Sequence, residues 1–530
     1  MFKDYRKIQI NKRRTFAIIS HPDAGKSTLT EKFLFLGNII RQVGMTQSKK
    51  SKNYIKSDWM KIEKKRGISI TTSVMQIPYC GYLINLLDTP GHEDFSEDTY
   101  RVLTAVDFCL MVIDSAKGIE ERTKKLIDVT RTYSIPIITF FNKLDRNSID
   151  FIELIDQLER ELKMVCSPIT WPIDYGNFFT GIYHILEDIV YFNCRQYVHN
   201  DVKHSNIIHG LNNVLLDDIF GNKLVKQFRE EIELIKVVYR PFNHLSFLHS
   251  NLTPVFFGSA LKNFGVSHVL DSILKWAPPP TFKISHTRKV KSSEKKFSGF
   301  VFKIQANMDL KHRDRIAFIR IVSGEYEKGM KLYHVRTKKF FIKSEAFSFL
   351  AGTRFLISQA YPGDIIGIHS HNKIKIGDTF TEGENLKFLG ISKFSPDIFK
   401  LIYLDNSLKK KQLLKGLIQL SEEGAIQVFR PITNNSLILG AIGDLQFDIV
   451  VERLKIEYNI CIIYKKINVF SVRWIEAQRH DKIIDFKERN KVNLAVDIDD
   501  NLVYLSTTSI NLSLIQARYP HIIFRDTCEY

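Results

Sequence analysis

Three short segments of this 530-residue chain carry residue types that can bind phosphates, a divalent cation and a purine base. Each segment suits a different part of a nucleotide, so their joint occurrence is more informative than any one of them. Together they predict a pocket for a guanine nucleotide. In chain order the segments are Ser20-His21-Pro22-Asp23-Ala24-Gly25-Lys26-Ser27, Asp88-Thr89-Pro90-Gly91-His92 and Asn142-Lys143-Leu144-Asp145.

The first segment predicts a phosphate-binding loop. It follows the apolar run Thr15–Ile19 and precedes a helix-like segment, Thr28–Leu36, which is the strand, loop and helix order that such a loop requires. Backbone N–H groups and the helix N-terminus hold the phosphates, Lys26 reaches the outer ones, and the Ser27 hydroxyl is a candidate Mg²⁺ ligand. The general pattern has glycine where Ser20 stands, and serine serves there if its backbone is ordinary. A tight turn into a buried helix is the alternative interpretation.

The second segment predicts contacts to Mg²⁺, to the terminal phosphate and to the attacking water. It closes the apolar run Tyr82–Leu87, which is typical of a parallel strand covered on both faces. Asp88 at a strand end can hold Mg²⁺ through water, and the Gly91 N–H can contact a terminal phosphate. His92 is the candidate catalytic residue, together with Lys26, because an imidazole there can orient the water. A surface or satisfied core histidine is the alternative.

The third segment predicts base specificity. Guanine presents an N–H and an amino group side by side, and the Asp145 carboxylate can accept a hydrogen bond from both. Adenine would present a lone pair instead, and sites of this kind discriminate by factors on the order of ten thousand. Asn142 would join loops or touch the base edge, and the alkyl part of Lys143 can cover the ring. Asn-Lys-x-Asp alone is a weak signal in a lysine-rich chain.

Two further segments fit the same pocket. The polar segment Gln42–Lys56 and the following Arg66–Ile70 have the composition of a mobile switch loop, in which Ser69 could complete the Mg²⁺ shell when a terminal phosphate is present. Near residue 259 a buried-strand pattern ends, and the backbone N–H groups of Ser259 and Ala260 could read the guanine carbonyl.

With these motifs the chain resembles a translational GTPase, and more narrowly the bacterial peptide chain release factor 3 family. Ser69 matches that family, whereas Ser27 stands where threonine is more usual. The resemblance implies a multidomain fold with an α/β P-loop GTPase domain, then a β-barrel domain, then an α+β domain. The runs that carry it are Ser20–Lys26, Lys56–Met60, Arg66–Thr72, Asp88–Tyr100, Trp276–Pro278, Ser298–Asn307, His312–Phe318 and Gln412–Pro431.

Composition along the chain predicts three domains, at 1–281 with a helical insertion, at 282–390 with short strands typical of a β-barrel, and at 391–530 with an α+β pattern. The resemblance implies that the first is a P-loop GTPase domain and that the second is a translation-factor-type barrel; from the strands alone, a generic all-β module is the alternative. The proline cluster Trp276–Pro280 and the Lys- and Ser-rich stretch after it, to about Lys296, are typical of a linker. The insertion, Asp150–Leu252, is expected to carry helices such as Phe151–Leu162 and an irregular region around Tyr191–Asn212. Short strands with turn signals follow, then a split β-α-β order.

Overall composition is that of a cytosolic globular enzyme. The net charge is +18 and the pI is about 9.4. This charge has two open interpretations: a nucleic-acid surface, or an A- and T-rich genome that inflates Lys, Asn, Ile and Phe together. The six cysteines show neither metal-site spacing nor a secretory framework, and no uncharged apolar segment approaches membrane-spanning length. A cytoplasmic location is therefore expected.

The resemblance implies the function and partners. It implies a ribosome-dependent GTPase of translation termination that uses GTP/GDP and Mg²⁺ and stimulates departure of class I release factors after peptide release. Expected partners are ribosomal RNA and proteins of the large-subunit factor site and class I release factors, with no membrane and a monomeric state. No arginine finger is evident among the motifs, so the ribosome is expected to position His92.

Three alternatives stay open from sequence. A translocase-like or ribosome-protection GTPase would need further C-terminal domains, and only about 250 residues follow residue 280. A GTP-bound scaffold would bind ribosomes without turnover. An ATP-driven motor would leave Asp145 without a role.

Overall fold

The computed structural model describes residues 2–40, 63, 68–174, 179–192, 207–306, 315–342, 345–350, 353–370, 374–404, 409–477 and 480–529. They form two units. The first comprises Met1–Gly91, Val106–Pro280 and Phe349–Arg354, and the second comprises His92–Ala105, Thr281–Ser348 and Phe355–Tyr530. The predicted switch segment Gln42–Lys56, with Arg66 and Gly67, lies outside the described residues.

The first unit is built on a seven-stranded sheet of order β2-β3-β1-β4-β5-β11-β6. All neighbouring strands are parallel except β2 and β3. Strands β1, β4, β5 and β11 are buried along their whole length, as their apolar runs predict for a sheet covered on both faces. The strands are β1 Arg13–Ser20, β2 Ser73–Tyr79, β3 Tyr82–Asp88, β4 Phe108–Asp114, β5 Ile137–Asn142, β6 Val165–Pro168 and β11 Leu252–Phe257.

Helices cover this sheet and close the core. The helix predicted from Thr28 begins two residues sooner, at Lys26. Phe33 on this helix, Phe16 on β1 and Val269 on the helix Val266–Trp276 are fully buried in one cluster. The helices of this unit are Phe2–Asn11, Lys26–Leu36, Glu121–Thr132, Phe151–Leu162, Val214–Phe220, Asn222–Val238, His244–Leu248 and Val266–Trp276.

The inserted segment is not only helical, so that part of the prediction was incomplete. It also contains a four-stranded antiparallel sheet of order β10-β9-β8-β7. Two of these strands fall in the region predicted to be irregular, and residues 193–206 between them lie outside the described residues. Strands of three or four residues are too short to show a period of two. They are β7 Thr170–Ile173, β8 Gly181–His184, β9 Ile189–Phe192 and β10 Ile207–His209.

The stretch predicted to be a linker is instead an ordered hairpin in the second unit. Strands β12 Phe282–Ile284 and β13 Lys289–Lys291 pair antiparallel, and Val290 is fully buried. The Arg288 guanidinium donates hydrogen bonds of 2.9 Å to each carboxylate oxygen of Glu384. That partner lies 96 residues away, so the local Lys- and Ser-rich composition could not reveal the ordering contact.

The predicted barrel region forms an eight-stranded sheet of order β18-β17-β23-β14-β15-β22-β19-β20. Its long central strands, β14 and β15, are buried throughout. A two-residue pair, β16 Tyr326–Glu327 and β21 Gln359–Ala360, forms a separate two-stranded sheet. The eight strands are β14 Ser298–Ala306, β15 Arg315–Ser323, β17 Lys331–His334, β18 Lys339–Ile342, β19 Ala346–Leu350, β20 Thr353–Ile357, β22 Ile365–His369 and β23 Thr379–Thr381.

The C-terminal part is α+β with the predicted split β-α-β order. Strands β25 to β28 stand in the spatial order β28-β25-β27-β26 within an eight-stranded sheet that continues with β30-β31-β29-β32. Its strands are β25 Ile398–Leu404, β26 Gln427–Pro431, β27 Ile438–Ala441, β28 Ile462–Lys466, β29 Ser471–Ala477, β30 Leu494–Val496, β31 Leu502–Ser506 and β32 Ile522–Arg525. A separate pair joins β24 Ser392–Phe394 to β33 Thr527–Glu529. The helices are Lys410–Glu422, Asp444–Tyr458, His480–Arg489 and Ser509–Arg518, with a 3-10 turn at Lys491–Asn493.

The second unit also contains the segment that follows Gly91. A 3-10 turn, Glu93–Phe95, leads into the helix Ser96–Ala105. The Asp94 carboxylate accepts a hydrogen bond of 2.8 Å from the Leu445 N–H at the start of the helix Asp444–Tyr458. Within the described residues, no helix has both the length and the apolar composition to span a membrane.

Candidate nucleotide-binding site

The phosphate loop connects β1 to the helix Lys26–Leu36. Ser20 is the last residue of β1 and is not among the residues with positive φ, so serine fits where the general pattern has glycine. Gly25 has φ 90°, a left-handed conformation that favours glycine. A Cβ atom there would stand 2.4 Å from Asn142 Nδ2, so glycine is also required for space.

The Asn142 side chain joins two loops of the pocket. Its Nδ2 donates a hydrogen bond of 2.8 Å to the Ala24 carbonyl, and its Oδ1 accepts one of 2.8 Å from the Ala260 N–H. Asn142 and both partners are buried. One amide therefore ties the phosphate loop to the loop after β11, which is the loop-joining role that its position suggested.

The strand ends bring the charged residues of the first two motifs together. Lys26 Nζ lies 3.5 Å from Asp88 Oδ1, and both side chains are less than a tenth exposed. The Thr89 hydroxyl donates a hydrogen bond of 2.7 Å to the carbonyl of Ile18, the residue that pairs with Asp88 in the parallel register. Gly91 packs against the backbone of His21. Ser27, next to Lys26, is half-buried.

The two loops predicted to contact the base are also held by hydrogen bonds. The Ser259 hydroxyl donates a hydrogen bond of 2.5 Å to Asp145 Oδ1, and the Leu144 N–H donates one of 3.3 Å to the Gly258 carbonyl. Ser259 also exchanges two backbone hydrogen bonds with Phe264, which closes its loop. The carboxylate is thus fixed in orientation by the loop that carries Ala260.

His21 is fully buried inside the phosphate loop. Its Nδ1 lies 3.5 Å from the Thr123 hydroxyl. Burial lowers the pKa of its imidazole, against the opposing effect of Glu120 and Asp114. The ring is therefore neutral at pH 7.

His92 and Ser69 were predicted to belong to the same site. His92 belongs to the second unit, where its Nδ1 accepts a hydrogen bond of 3.3 Å from the Asp94 N–H and its ring is about one-third exposed. Ser69 lies four residues before Ser73, the residue that pairs with Asp88 across β2 and β3. The neighbouring N–H groups of Ile70 and Thr71 donate to Glu63. The contacts described above do not include Ser69, so its role stays a prediction.

One residue of this region escaped the sequence analysis. Asp114, the last residue of β4, accepts a hydrogen bond of 2.7 Å from Lys143 Nζ. The only signal was its place at the end of the apolar run Phe108–Ile113, the same place that Asp88 and Asn142 occupy on their own strands.

The sheet order, the loops at its carboxyl ends and two family matches place the chain in one class: it is a translational GTPase with a P-loop GTPase domain, a β-barrel domain and a further α+β domain. Residues 11–279 match the family described as "Elongation factor Tu GTP binding domain", and residues 296–383 match "Elongation factor G domain 2". A solved crystal structure of ttk003000868 from Thermus thermophilus is similar in fold, with a TM-score of 0.68. It is 19% identical, and the match covers 88% of this chain and 71% of that one.

The C-terminal region and the curated relatives narrow this class to one family. Residues 388–516 match "Class II release factor RF3, C-terminal domain". A "Peptide chain release factor 3" of Buchnera aphidicola subsp. Baizongia pistaciae (strain Bp) is 64% identical, over 98% of both chains. One of subsp. Acyrthosiphon pisum (strain 5A) is 58% identical over the full length of both. The chain belongs to the peptide chain release factor 3 family, and it is a ribosome-associated, GTP-binding GTPase of translation termination.

Proposed function

We propose that this GTPase stimulates the departure of class I release factors from the ribosome after the finished peptide has been released. The role in termination follows from membership of the release factor 3 family. The two hydrogen bonds of Asn142 support the nucleotide pocket on which this role depends. In this proposal the protein acts as a cytoplasmic monomer, its partners are the large-subunit factor site and the class I factors, and its three domains have the boundaries given above.

In the proposed site, the phosphates lie against Lys26 and against the backbone N–H groups of the loop Ser20–Ser27, in which every residue except Pro22 has a backbone N–H. The guanine base lies between Asn142–Asp145 and the loop that carries Ser259 and Ala260. A carboxylate oxygen has two lone pairs, so Asp145 can accept from guanine while it accepts from Ser259. Cationic and N–H groups fixed around the phosphates stabilise the charge that builds up during transfer to water.

The residues near Lys26 suit Mg²⁺. Asp88 offers a buried carboxylate at a strand end, and Ser27 offers a hydroxyl in the first turn of the helix. Ser69 is the further hydroxyl that the sequence predicts for the Mg²⁺ shell when a terminal phosphate is present. Mg²⁺ prefers oxygen ligands and takes one or two protein groups in addition to substrate phosphates and water. When bound, the ion neutralises charge on the phosphate oxygens. Lys26, whose Nζ lies 3.5 Å from Asp88 Oδ1, supplies a further positive charge for the phosphates.

His92 is proposed to orient the attacking water. Its Nδ1 faces the Asp94 N–H, so Nε2 is the ring atom available to a water molecule. We expect His92→Ala to abolish ribosome-stimulated phosphate release while GTP affinity stays within about twofold of wild type. The exposed His286 serves as the control, since His286→Ala should change neither quantity. An equal loss of GTP binding in His92→Ala would contradict the assigned role.

The direct test of the function uses termination complexes that carry a labelled class I factor. Its release rate is measured with GTP, with GDP and without nucleotide, and the proposal predicts that release is nucleotide-dependent. Identical release rates in all three conditions would contradict the proposed role in class I factor release, but not the assignment as a GTPase. Phosphate release measured with and without ribosomes distinguishes the proposal from the scaffold alternative, which predicts no phosphate release in either case. A translocation assay distinguishes it from the translocase alternative.

A further inference from the structure

Lys143 and Asp114 form a nearly buried ion pair at the base end of the pocket. The Lys143 Nζ to Asp114 Oδ2 distance is 2.7 Å, and the side chains are 17% and 3% exposed. Charge-assisted hydrogen bonds of this length are among the stronger side-chain interactions. The pair joins the ends of two adjacent parallel strands, because Asp114 and Asn142 are opposite one another in the register of β4 and β5.

The Asp114 carboxylate is a rigid acceptor. Its Oδ1 accepts a hydrogen bond of 3.0 Å from the Ala116 N–H. Its backbone carbonyl accepts from the N–H groups of Lys117 at 3.1 Å and Gly118 at 2.9 Å. The backbone bonds fix the turn after β4, and the bond from Ala116 orients the carboxylate.

The backbone of Lys143 is constrained as well as its ammonium group. Its backbone has φ 71°, a left-handed conformation that costs roughly 1–2 kcal/mol for a residue with a Cβ atom. The flanking contacts of Asn142 and Leu144 hold this backbone. The Lys143 Cε atom lies 3.9 Å from the position that a Cβ of Gly25 would take, so the alkyl stem passes along the phosphate loop.

We propose that Asp114 is a positioning residue for guanine-nucleotide binding: by holding the Lys143 ammonium, it fixes the alkyl stem of Lys143 in the place where it covers the purine ring. This inference rests on the proposed nucleotide site. The ammonium is directed to β4, and the apolar CH₂ groups are left for the base. Without the Asp114 carboxylate, a mostly buried ammonium lacks its counter-ion, and the alkyl stem of Lys143 is no longer held in this position.

The test is a double-mutant cycle in nucleotide affinity, measured by calorimetry on the full chain. Asp114→Asn keeps the shape and removes the charge, and we expect it to weaken GDP and GTP binding by about tenfold to a hundredfold. Lys143→Met keeps an apolar stem and removes the ammonium. In the Lys143→Met background, Asp114→Asn should cost less than about twofold, since the pair is already broken. Asp107→Asn, just before the same strand, is the matched control and should bind like wild type.

A further arm separates positioning of the base contact from general damage. Inorganic tripolyphosphate has no base, so its affinity should be the same in wild type and Asp114→Asn. Unchanged GDP affinity in Asp114→Asn, losses that multiply in the double variant, or an equal loss of tripolyphosphate binding would each overturn the inference. Failure of the wild-type chain to bind GDP would instead contradict the proposed nucleotide site itself.

Discussion

The Asn142 amide offers the sharpest test of how the pocket is assembled, because one side chain serves two buried backbone groups. Asn142→Ala leaves the Ala24 carbonyl and the Ala260 N–H without their 2.8 Å partners. A buried polar group that loses its partner costs about 1–3 kcal/mol, so the pair should cost about 2–5 kcal/mol after partial relaxation. We expect this loss in the free energy of unfolding of the nucleotide-free protein, together with weaker GTP binding.

Asn142→Asp distinguishes this account from simple loss of volume. Aspartate can still accept from the Ala260 N–H, but it places a carboxylate oxygen against the Ala24 carbonyl. Two acceptors repel, so Asp should destabilise at least as much as Ala, although it is closer to Asn in size. Urea unfolding followed by fluorescence measures the change, with the exposed Asn435→Ala as control. Wild-type stability in Asn142→Ala, or an Asp variant as stable as wild type, would refute the reasoning.

Three further predictions concern single positions. Gly25→Ala combines left-handed strain with a Cβ 2.4 Å from Asn142 Nδ2, so GTP affinity measured by calorimetry should fall more than about tenfold; wild-type affinity would contradict the loop geometry. Gly443→Ala would place a Cβ 2.0 Å from Asp94 Cγ, so urea unfolding should show a loss of about 1–3 kcal/mol, and Asp94→Ala in the same chain should recover part of it. Burial, and secondarily the nearby His184, lowers the pKa of His268 to about 4, below its unfolded value near 6.5. The unfolded chain therefore binds a proton at His268 before the folded chain does, so the free energy of unfolding is unaffected above pH 6.5 and decreases as the pH falls toward 4. Wild type should lose up to about 3 kcal/mol over that window relative to His268→Gln, and parallel stability curves for the two proteins would exclude the effect.

The strands that carry the predicted site residues at their ends could be predicted from sequence, because each is a long apolar run followed by a polar or charged residue. The run before Ser20, the run before Asp88 and the run before Asn142 became β1, β3 and β5 of one sheet, and the carboxyl ends of parallel strands meet at one edge. The fold class, which the resemblance implied, was confirmed by the family matches and by the sheets of the structure. The residue assignments for the pocket stay predictions that the contacts support.

Features that depend on partners distant in sequence were not readable. The hairpin of β12 and β13 needs Glu384 to hold Arg288, and local composition indicated a linker. The four short strands of the inserted segment are stabilised by pairing with one another, and they are too short to show a periodic sequence pattern. The pair of Asp114 and Lys143 spans 29 residues and exists only because β4 and β5 are neighbours.

The central claim is that the pocket selects guanine through the Asp145 carboxylate. Calorimetry of wild type and Asp145→Asn with GTP, XTP and ATP tests it most directly. The account predicts that wild type binds GTP and rejects XTP and ATP, and that Asp145→Asn loses GTP binding and gains binding of XTP, whose extra oxygen replaces the guanine amino group. Equal affinity of wild type for GTP and ATP, or unchanged GTP binding in Asp145→Asn, would contradict it.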